Sequence, residues 1–162
     1  METYDKKAAE LIERSYQTPE IVNQRLRTLA ALALVRGESV LDAGCGTGLL
    51  LEQEARTVGS EGRAEGVDFS EAMLARARHA AVEEGATNIE FVRTDAEDLP
   101  LEDDSMDVAL VNGIFNLNPD RESIFRELAR VLRPEGVLYA AELILRGPVT
   151  PPDGSSDSNW FA

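Results

Sequence analysis

Val40-Leu41-Asp42-Ala43-Gly44-Cys45-Gly46-Thr47-Gly48 is the stretch whose reading decides the fold. Ahead of it Gly37-Glu38-Ser39 breaks a helical pattern, and Val40-Leu41 opens the short apolar run that a buried parallel strand requires. Glycine then recurs at positions 44, 46 and 48, and Leu49-Leu50-Leu51 begins a new helical pattern. Strand, glycine turn and helix in that order place the unpaired N–H groups of a helix N-terminus beside a ligand. Glycine serves where the backbone must take positive φ, or must approach that ligand with no Cβ in the way. A dinucleotide fingerprint reads G-x-G-x-x-G. Counted from Gly44, this chain reads G-x-G-x-G, with Leu49 where the third glycine should stand and Asp42 two positions before the first. The turn therefore fits pyrophosphate poorly and a ligand with a cationic or amino-bearing end better. A glycine turn that serves only tight packing is the bland alternative, and the rest of the chain must decide between them.

With 162 residues the chain is long enough to bury a core as one domain. It has no N-terminal signal pattern and no run of 18 apolar residues, which places it in the cytoplasm as a soluble protein, with no membrane partner. Cys45 is the single cysteine, so neither an internal disulfide nor a cysteine-cluster metal site can form. A net charge of −14 argues against sequence-independent binding to nucleic acid or anionic lipid, both of which need a basic face. Lys6 and Lys7 are the only lysines among the 16 basic residues. Many carboxylates with little lysine suit a cytoplasm of high ionic strength, where screening removes self-repulsion.

Residues 5–17 and 19–35 read as helices, with Thr18-Pro19 as N-cap and first helical position of the second. Beyond the glycine turn a helix runs to about Val58 and ends at Gly59. Ala64–Val67 is a short second strand leading into Asp68, and Ser70 caps a helix that carries Met73, Leu74, Ala77 and Ala81 on one side and stops at Gly85. Asn88–Val92 and Met106–Val111 read as the third and fourth strands. Asn118-Pro119 starts a helix with Ile124, Phe125, Leu128, Val131 and Leu132 inward. Arg133-Pro134-Glu135-Gly136 turns the chain into a fifth strand, Val137–Leu145. Strands alternating with helices give an α/β fold with a doubly wound, mainly parallel sheet. Ligands bind such sheets beyond the carboxyl ends of the strands, at the switch point. That rule collects Asp42 with its glycine turn, Asp68, Asp95 and Asn112, four polar residues at four successive strand ends. Asp68, some 20 residues beyond the glycines, is suited to accept both hydroxyls of a ribose.

The segments Val40–Gly48, Gly66–Leu74, Thr94–Pro100 and Arg130–Leu138 resemble the S-adenosylmethionine-dependent class I methyltransferases, in the branch that includes quinone-biosynthesis and arsenite methyltransferases. The resemblance covers roughly residues 36–145. It implies a Rossmann-like domain over 36–145, between an N-terminal helical cap (1–35) and a C-terminal tail (146–162). It also implies S-adenosylmethionine as cofactor and methyl transfer to a small-molecule acceptor. The cofactor site so implied comprises Asp42, Gly44, Cys45, Gly46, Asp68, Phe69, Met73, Asp95, Ala96, Asn112 and Gly113. Within it Asp42 and the backbone of Gly44 and Gly46 hold the methionine moiety, and Asp68 binds the ribose. Phe69 and Met73 flank the adenine, whose amino group donates to Asp95 and whose ring nitrogen meets the Ala96 N–H. Asn112 and Gly113 line the methyl end.

Methyl transfer from a sulfonium is an in-line displacement, so alignment of the acceptor and exclusion of water do most of the catalysis. No general base stands out. His79, the only histidine, falls on the outer side of its helix. The carboxylates Glu97, Asp98, Glu102, Asp103, Asp104 and Asp107 lack the ordered spacing of a calcium loop, so they read as a solvated face and no metal is expected. Tyr4, Tyr16, Phe115 and Asn116 can reach an acceptor pocket over the methyl end, although for aromatics on helix faces packing is the commoner role.

Relatives of this kind continue past the fifth strand through a helix and an antiparallel hairpin, which residues 146–162, with their prolines and Ser-Asp-Ser run, do not spell. The apolar fifth strand is then expected to be covered by Trp160 and Phe161 of the tail, paired with a second subunit as in a homodimer, or left open because the chain is incomplete. The thiols that arsenite methylation uses are absent. A nicotinamide dehydrogenase is disfavoured by Leu49 and by the lack of a Tyr/Lys hydride-site pair. A non-catalytic S-adenosylmethionine-binding or oligomerising module is the rival of another kind.

Overall fold

Nine elements alternate along residues 16–115 and 118–142, the part of the chain that the computed structural model describes. They are α1 (Pro19–Leu32), β1 (Ser39–Ala43), α2 (Leu49–Val58), β2 (Arg63–Asp68), α3 (Glu71–Glu83), β3 (Ile89–Arg93), β4 (Met106–Asn112), α4 (Arg121–Val131) and β5 (Leu132–Ala141). The five strands form one sheet in the order β3-β2-β1-β4-β5, and every neighbouring pair is parallel. The chain winds outward from β1 through β2 to β3, then returns past β1 to build β4 and β5. Right-handed crossovers therefore lay the helices of the two halves on opposite faces. The tips of β1 and β4 are neighbours whose connections leave in opposite directions, which makes the space between them the switch point.

Burial follows the two faces. On one, Leu50, Leu51, Ala55 and Val58 of α2 and Leu32 of α1 pack on Val40, Ala64, Val108 and Leu110. On the other, Ile124, Leu128 and Val131 of α4 pack with Leu99 and Phe115 on Leu41, Ala43, Val67, Ala109 and Val111. Adjacent residues of β1 and β4 thus serve opposite cores, as a strand buried on both sides must.

Helix ends differ from the sequence reading where side chains find other partners. The helix expected over 19–35 stops at Leu32, because Ala33 takes the left-handed conformation (φ 48°). α4 starts at Arg121 rather than at Asn118-Pro119. Asn118 Oδ1 accepts the Asp120 N–H and so shapes the preceding turn, while the Asp120 carboxylate caps the helix by accepting the Ser123 N–H and hydroxyl. β5 begins at Leu132, ahead of the expected Val137. Met106 faces Leu132 but Val108 faces Val137, so Arg133–Gly136 bulges out of the ladder. Phe125, expected inward, is 47 % exposed and instead lies stacked on the buried Phe115, ring centroids 4.4 Å apart. The expected helix over 5–17 falls almost wholly outside the described residues, and the end of the fifth strand and the tail with Trp160 and Phe161 lie outside them entirely.

Candidate functional site

The parallel register sets Asp42 beside Gly66 on one side and Leu110 on the other, and Asn112 beside Ala141. Beyond β3, the Thr94 N–H donates to the Asp68 carbonyl (3.2 Å), which leads the chain toward Asp95 past the tip of β2. All four polar strand ends therefore stand on one edge of the sheet.

The glycine turn takes positive φ at Gly44, Gly46 and Gly48 (82°, 56° and 77°). Its N–H groups are largely spent inside the fold. Gly44 and Cys45 both donate to the Val67 carbonyl (2.8 and 3.0 Å), Gly46 to Asp68 Oδ2 (2.9 Å) and Gly48 to the Cys45 carbonyl (3.0 Å). What Gly44 and Gly46 have left to offer a ligand is carbonyl oxygen and close approach, whereas a phosphate would need the N–H groups. Gly44 and Gly48 also lack room for a side chain. A Cβ at Gly44 would collide with Ile114 Cγ2, and one at Gly48 would stand 3.0 Å from Ala77 Cβ.

Asp68 ties the turn to α3. Its Oδ2 takes the Gly46 N–H, and its Oδ1 takes the Ser70 N–H (2.8 Å). Each carboxylate oxygen keeps a further lone pair for a ligand hydroxyl. Burial holds its acidity weaker than usual, opposed by those two N–H groups. Asp42, 3 % exposed, is pushed up to about 7, by burial first and then by the charge of Asp68. Glu54 of α2 is wholly buried, and neither of its carboxyl oxygens has a partner among the described residues. Burial, and then the charge of Asp42, raises it well above the usual carboxylate range. Burial followed by the charges of Asp42 and Asp68 also pushes the Cys45 thiol up, which leaves it protonated and a poor nucleophile. Three carboxyls and a thiol thus crowd behind the turn. Such a place favours a cation and repels a phosphate.

Glu54 was absent from the sequence reading. Its signal was present: it lies three residues after Leu51 and four before Val58, on the buried stripe of α2. Charge alone made it look solvated.

The remaining expected residues fall in different places. Phe69 follows Asp68 half-buried, and its carbonyl accepts the Arg93 Nε–H (3.1 Å). Met73 is buried on α3, Asp95 is exposed, and Ala96 packs against the α4-side core. Asn112 and Gly113 are half-buried at the tip of β4, where Gly113 (φ 79°) faces open space. The structure joins Gly44, Cys45, Gly46 and Asp68 through hydrogen bonds at the tip of β2, with Asp42 near enough to feel the charge of Asp68. Asp95 and Ala96 are linked to this group only through Thr94. Phe115 serves the core rather than a pocket, and Asn116 and Tyr4 lie outside the described residues. The Tyr16 hydroxyl comes within 3.8 Å of where a Gly46 Cβ would be, and the Tyr16 carbonyl accepts from Arg25 (2.8 Å). His79 is exposed and sits 3.4 Å from Glu83. The acidic loop is partly tied down by cations. Arg130 donates to the Leu99 and Leu101 carbonyls, Asp103 and Glu127, and Arg133 to Asp107.

The loop after β4 folds back over β5. The Gly113 N–H donates to the Ala141 carbonyl (2.9 Å) and the Phe115 N–H to Glu142 Oε1 (2.9 Å), which sets Ile114 against Gly44.

Residues 34–149 match the family model described as a methyltransferase domain. Over 119 residues, 74 % of the chain, the sequence is 34 % identical to an arsenite methyltransferase of Halobacterium salinarum, of which the match covers 30 %. It is 36 % identical over 118 residues, 73 % of the chain, to a demethylmenaquinone methyltransferase of Lactococcus lactis, covering 47 % of that protein. The chain thus spans a third to a half of the length of these curated relatives. Among solved structures, a SAM-dependent methyltransferase from Aquifex aeolicus superposes with a TM-score of 0.77, covering 93 % of this chain and 80 % of that one, at 23 % identity. That likeness concerns the fold.

Proposed function

This chain belongs to the S-adenosylmethionine-dependent methyltransferases, and from that premise we propose that it transfers a methyl group from S-adenosylmethionine to a small-molecule acceptor. The observation that carries the reading is the buried Asp42 together with the half-buried Asp68, whose carboxylate accepts the Gly46 and Ser70 N–H groups, at a glycine turn whose N–H groups are mostly already engaged. That donor set fits a ligand with a cationic, amino-bearing end and a ribose. When bound, the cofactor supplies a methyl group activated on a cationic sulfur.

The chain's own residues would do the rest. Asp42 meets the amino-bearing end, and the free lone pairs of Asp68 accept the ribose hydroxyls. Phe69 and Met73 flank the adenine, with Asp95 and the Ala96 N–H at its edge. Asn112 and Gly113 line the methyl end at the switch point. There alignment and exclusion of water lower the barrier. The acceptor is a small molecule; Cys45, the one cysteine among these 162 residues, is buried and protonated and does not itself serve as a thiol ligand. The acidic surface supports the absence of a nucleic-acid partner.

Calorimetry with S-adenosylmethionine and with NAD tests the reading. The wild type binds the first and not the second, and Asp68→Ala weakens the first by about 10-fold or more, the loss of one or two hydrogen bonds to a charged group. An Asp68→Ala protein with unchanged donor affinity would overturn it. Donor binding with no turnover on any acceptor would assign a binding module instead.

A further inference from the structure

Glu142 follows directly on β5, on the far side of β4 from the Asp42 and Asp68 pair. Its Oε1 accepts the Phe115 N–H, but its Oε2 is buried with no hydrogen-bond partner among the described residues. An unpaired buried carboxylate oxygen costs about 1–3 kcal/mol, and native folds rarely leave one without a purpose. The place of this one is specific. Glu142 fixes the loop that carries Ile114 against Gly44, so it stands one loop away from the glycine turn and beside Asn112 and Gly113. Asn112, Gly113, Ile114 and Phe115 carry no ionisable group that could take its place. The idle lone pair is closed to solvent, and Glu142 follows the β5 residue that pairs with Asn112, so a ligand O–H or N–H entering between the tips of β4 and β5 supplies the donor it lacks.

We propose that Glu142 receives the acceptor's proton during methyl transfer, and that the acceptor is a protic small molecule, such as a hydroquinone, phenol or amine, presenting its O–H or N–H at the tip of β5. The inference rests on the methyltransferase reading above and names the substrate class for it. The step balances. A lone pair of the acceptor oxygen or nitrogen forms the new bond to the methyl carbon, and the carbon–sulfur bond breaks with its pair going to sulfur. The acceptor's O–H or N–H bond leaves its electrons on the heteroatom and its proton on Oε2, from which it passes to water after product release.

The experiment uses the full chain, with S-adenosylhomocysteine for binding and three protic probes for turnover: 1,4-naphthohydroquinone, catechol and phenethylamine. The wild type binds S-adenosylhomocysteine and methylates at least one probe. Glu142→Gln keeps an amide oxygen for the Phe115 N–H, so S-adenosylhomocysteine affinity stays within about 2-fold while kcat falls about 100-fold, the usual scale for a lost general base. That deficit shrinks as pH rises and the probe ionises without help. A Glu142→Gln enzyme with wild-type kcat overturns the proposal, as does a deficit that is the same at every pH, because a purely structural role gives that result. A wild type that binds S-adenosylhomocysteine but methylates none of the probes overturns the protic class. Failure of the wild type to bind S-adenosylhomocysteine at all is the separate failure of the methyltransferase reading, and Glu142 falls with it.

Discussion

Asp42 couples two demands that conflict. In its proposed role toward the donor's amino-bearing end it must be charged, whereas burial and the neighbouring Asp68 keep it protonated up to about pH 7. Its value in the folded protein lies above the ordinary 3.8, so folding gains from the protonated form below about pH 4 and loses that gain as pH climbs through about 7. Asp42→Asn, neutral at every pH, is therefore expected to melt with the wild type near pH 4 and to be the more stable protein at pH 8, by on the order of 4 kcal/mol. Thermal melts at the two pH values check this. Donor affinity should move the other way, weaker in Asp42→Asn at pH 8. A variant less stable than wild type at pH 8 would contradict the assignment of Asp42 as a costly buried charge. Residues of this sort were half legible in the sequence. Asp42 and Asp68 announced themselves at strand ends, while Glu54 hid in a helical stripe and Glu142 in a strand expected to run to Leu145. Their roles come from burial and missing partners, which spacing does not report.

Among the elements, the connection from α4 to β5 shows glycine chemistry working in an unexpected way. Arg133-Pro134-Glu135-Gly136 reads as the turn into the fifth strand. In the structure the left-handed residue is Glu135 (φ 72°), and Gly136 is needed for space, since a Cβ there would stand 2.9 Å from the Arg133 carbonyl oxygen. A non-glycine residue in that conformation costs about 1–2 kcal/mol, and glycine loses about 0.5–1 kcal/mol of that advantage to its greater freedom when unfolded. Glu135→Gly is therefore expected to stabilise the protein by about 0.5 kcal/mol, and Gly136→Ala to destabilise it. Denaturant titration of the two variants reads both signs. If Glu135→Gly destabilises, the left-handed conformation at 135 is not carrying strain. The bulge also explains why β5 starts five residues earlier than its apolar run suggests: Leu132 pairs with Met106 before the chain loops out, and a pattern of alternating side chains cannot show pairing across such a gap.

At the scale of the whole molecule the charge dominates. Thirty acidic residues against sixteen basic ones repel one another at low salt, and many lie exposed on helices and loops. At about 1 M salt the Debye length falls to about 3 Å, which removes most of that repulsion. The melting temperature should accordingly rise by several degrees between about 0.1 M and about 2 M KCl. A flat or falling curve would show that the surface carboxylates already lie in balanced pairs.

The sequence by itself determined the order of strands and helices, the doubly wound class, the glycine turn and the polar residues at successive strand ends. These follow from local pattern: apolar runs, turn residues and the rule that ligands meet a parallel sheet at its carboxyl edge. Only the tertiary structure decided which backbone donors were already consumed, which carboxyls were stripped of water, and which loop pressed against Gly44. Each of these depends on groups distant in the chain meeting in a space from which water is excluded. There the worth of a charge or a hydrogen bond is set by its neighbours rather than by its place in the chain.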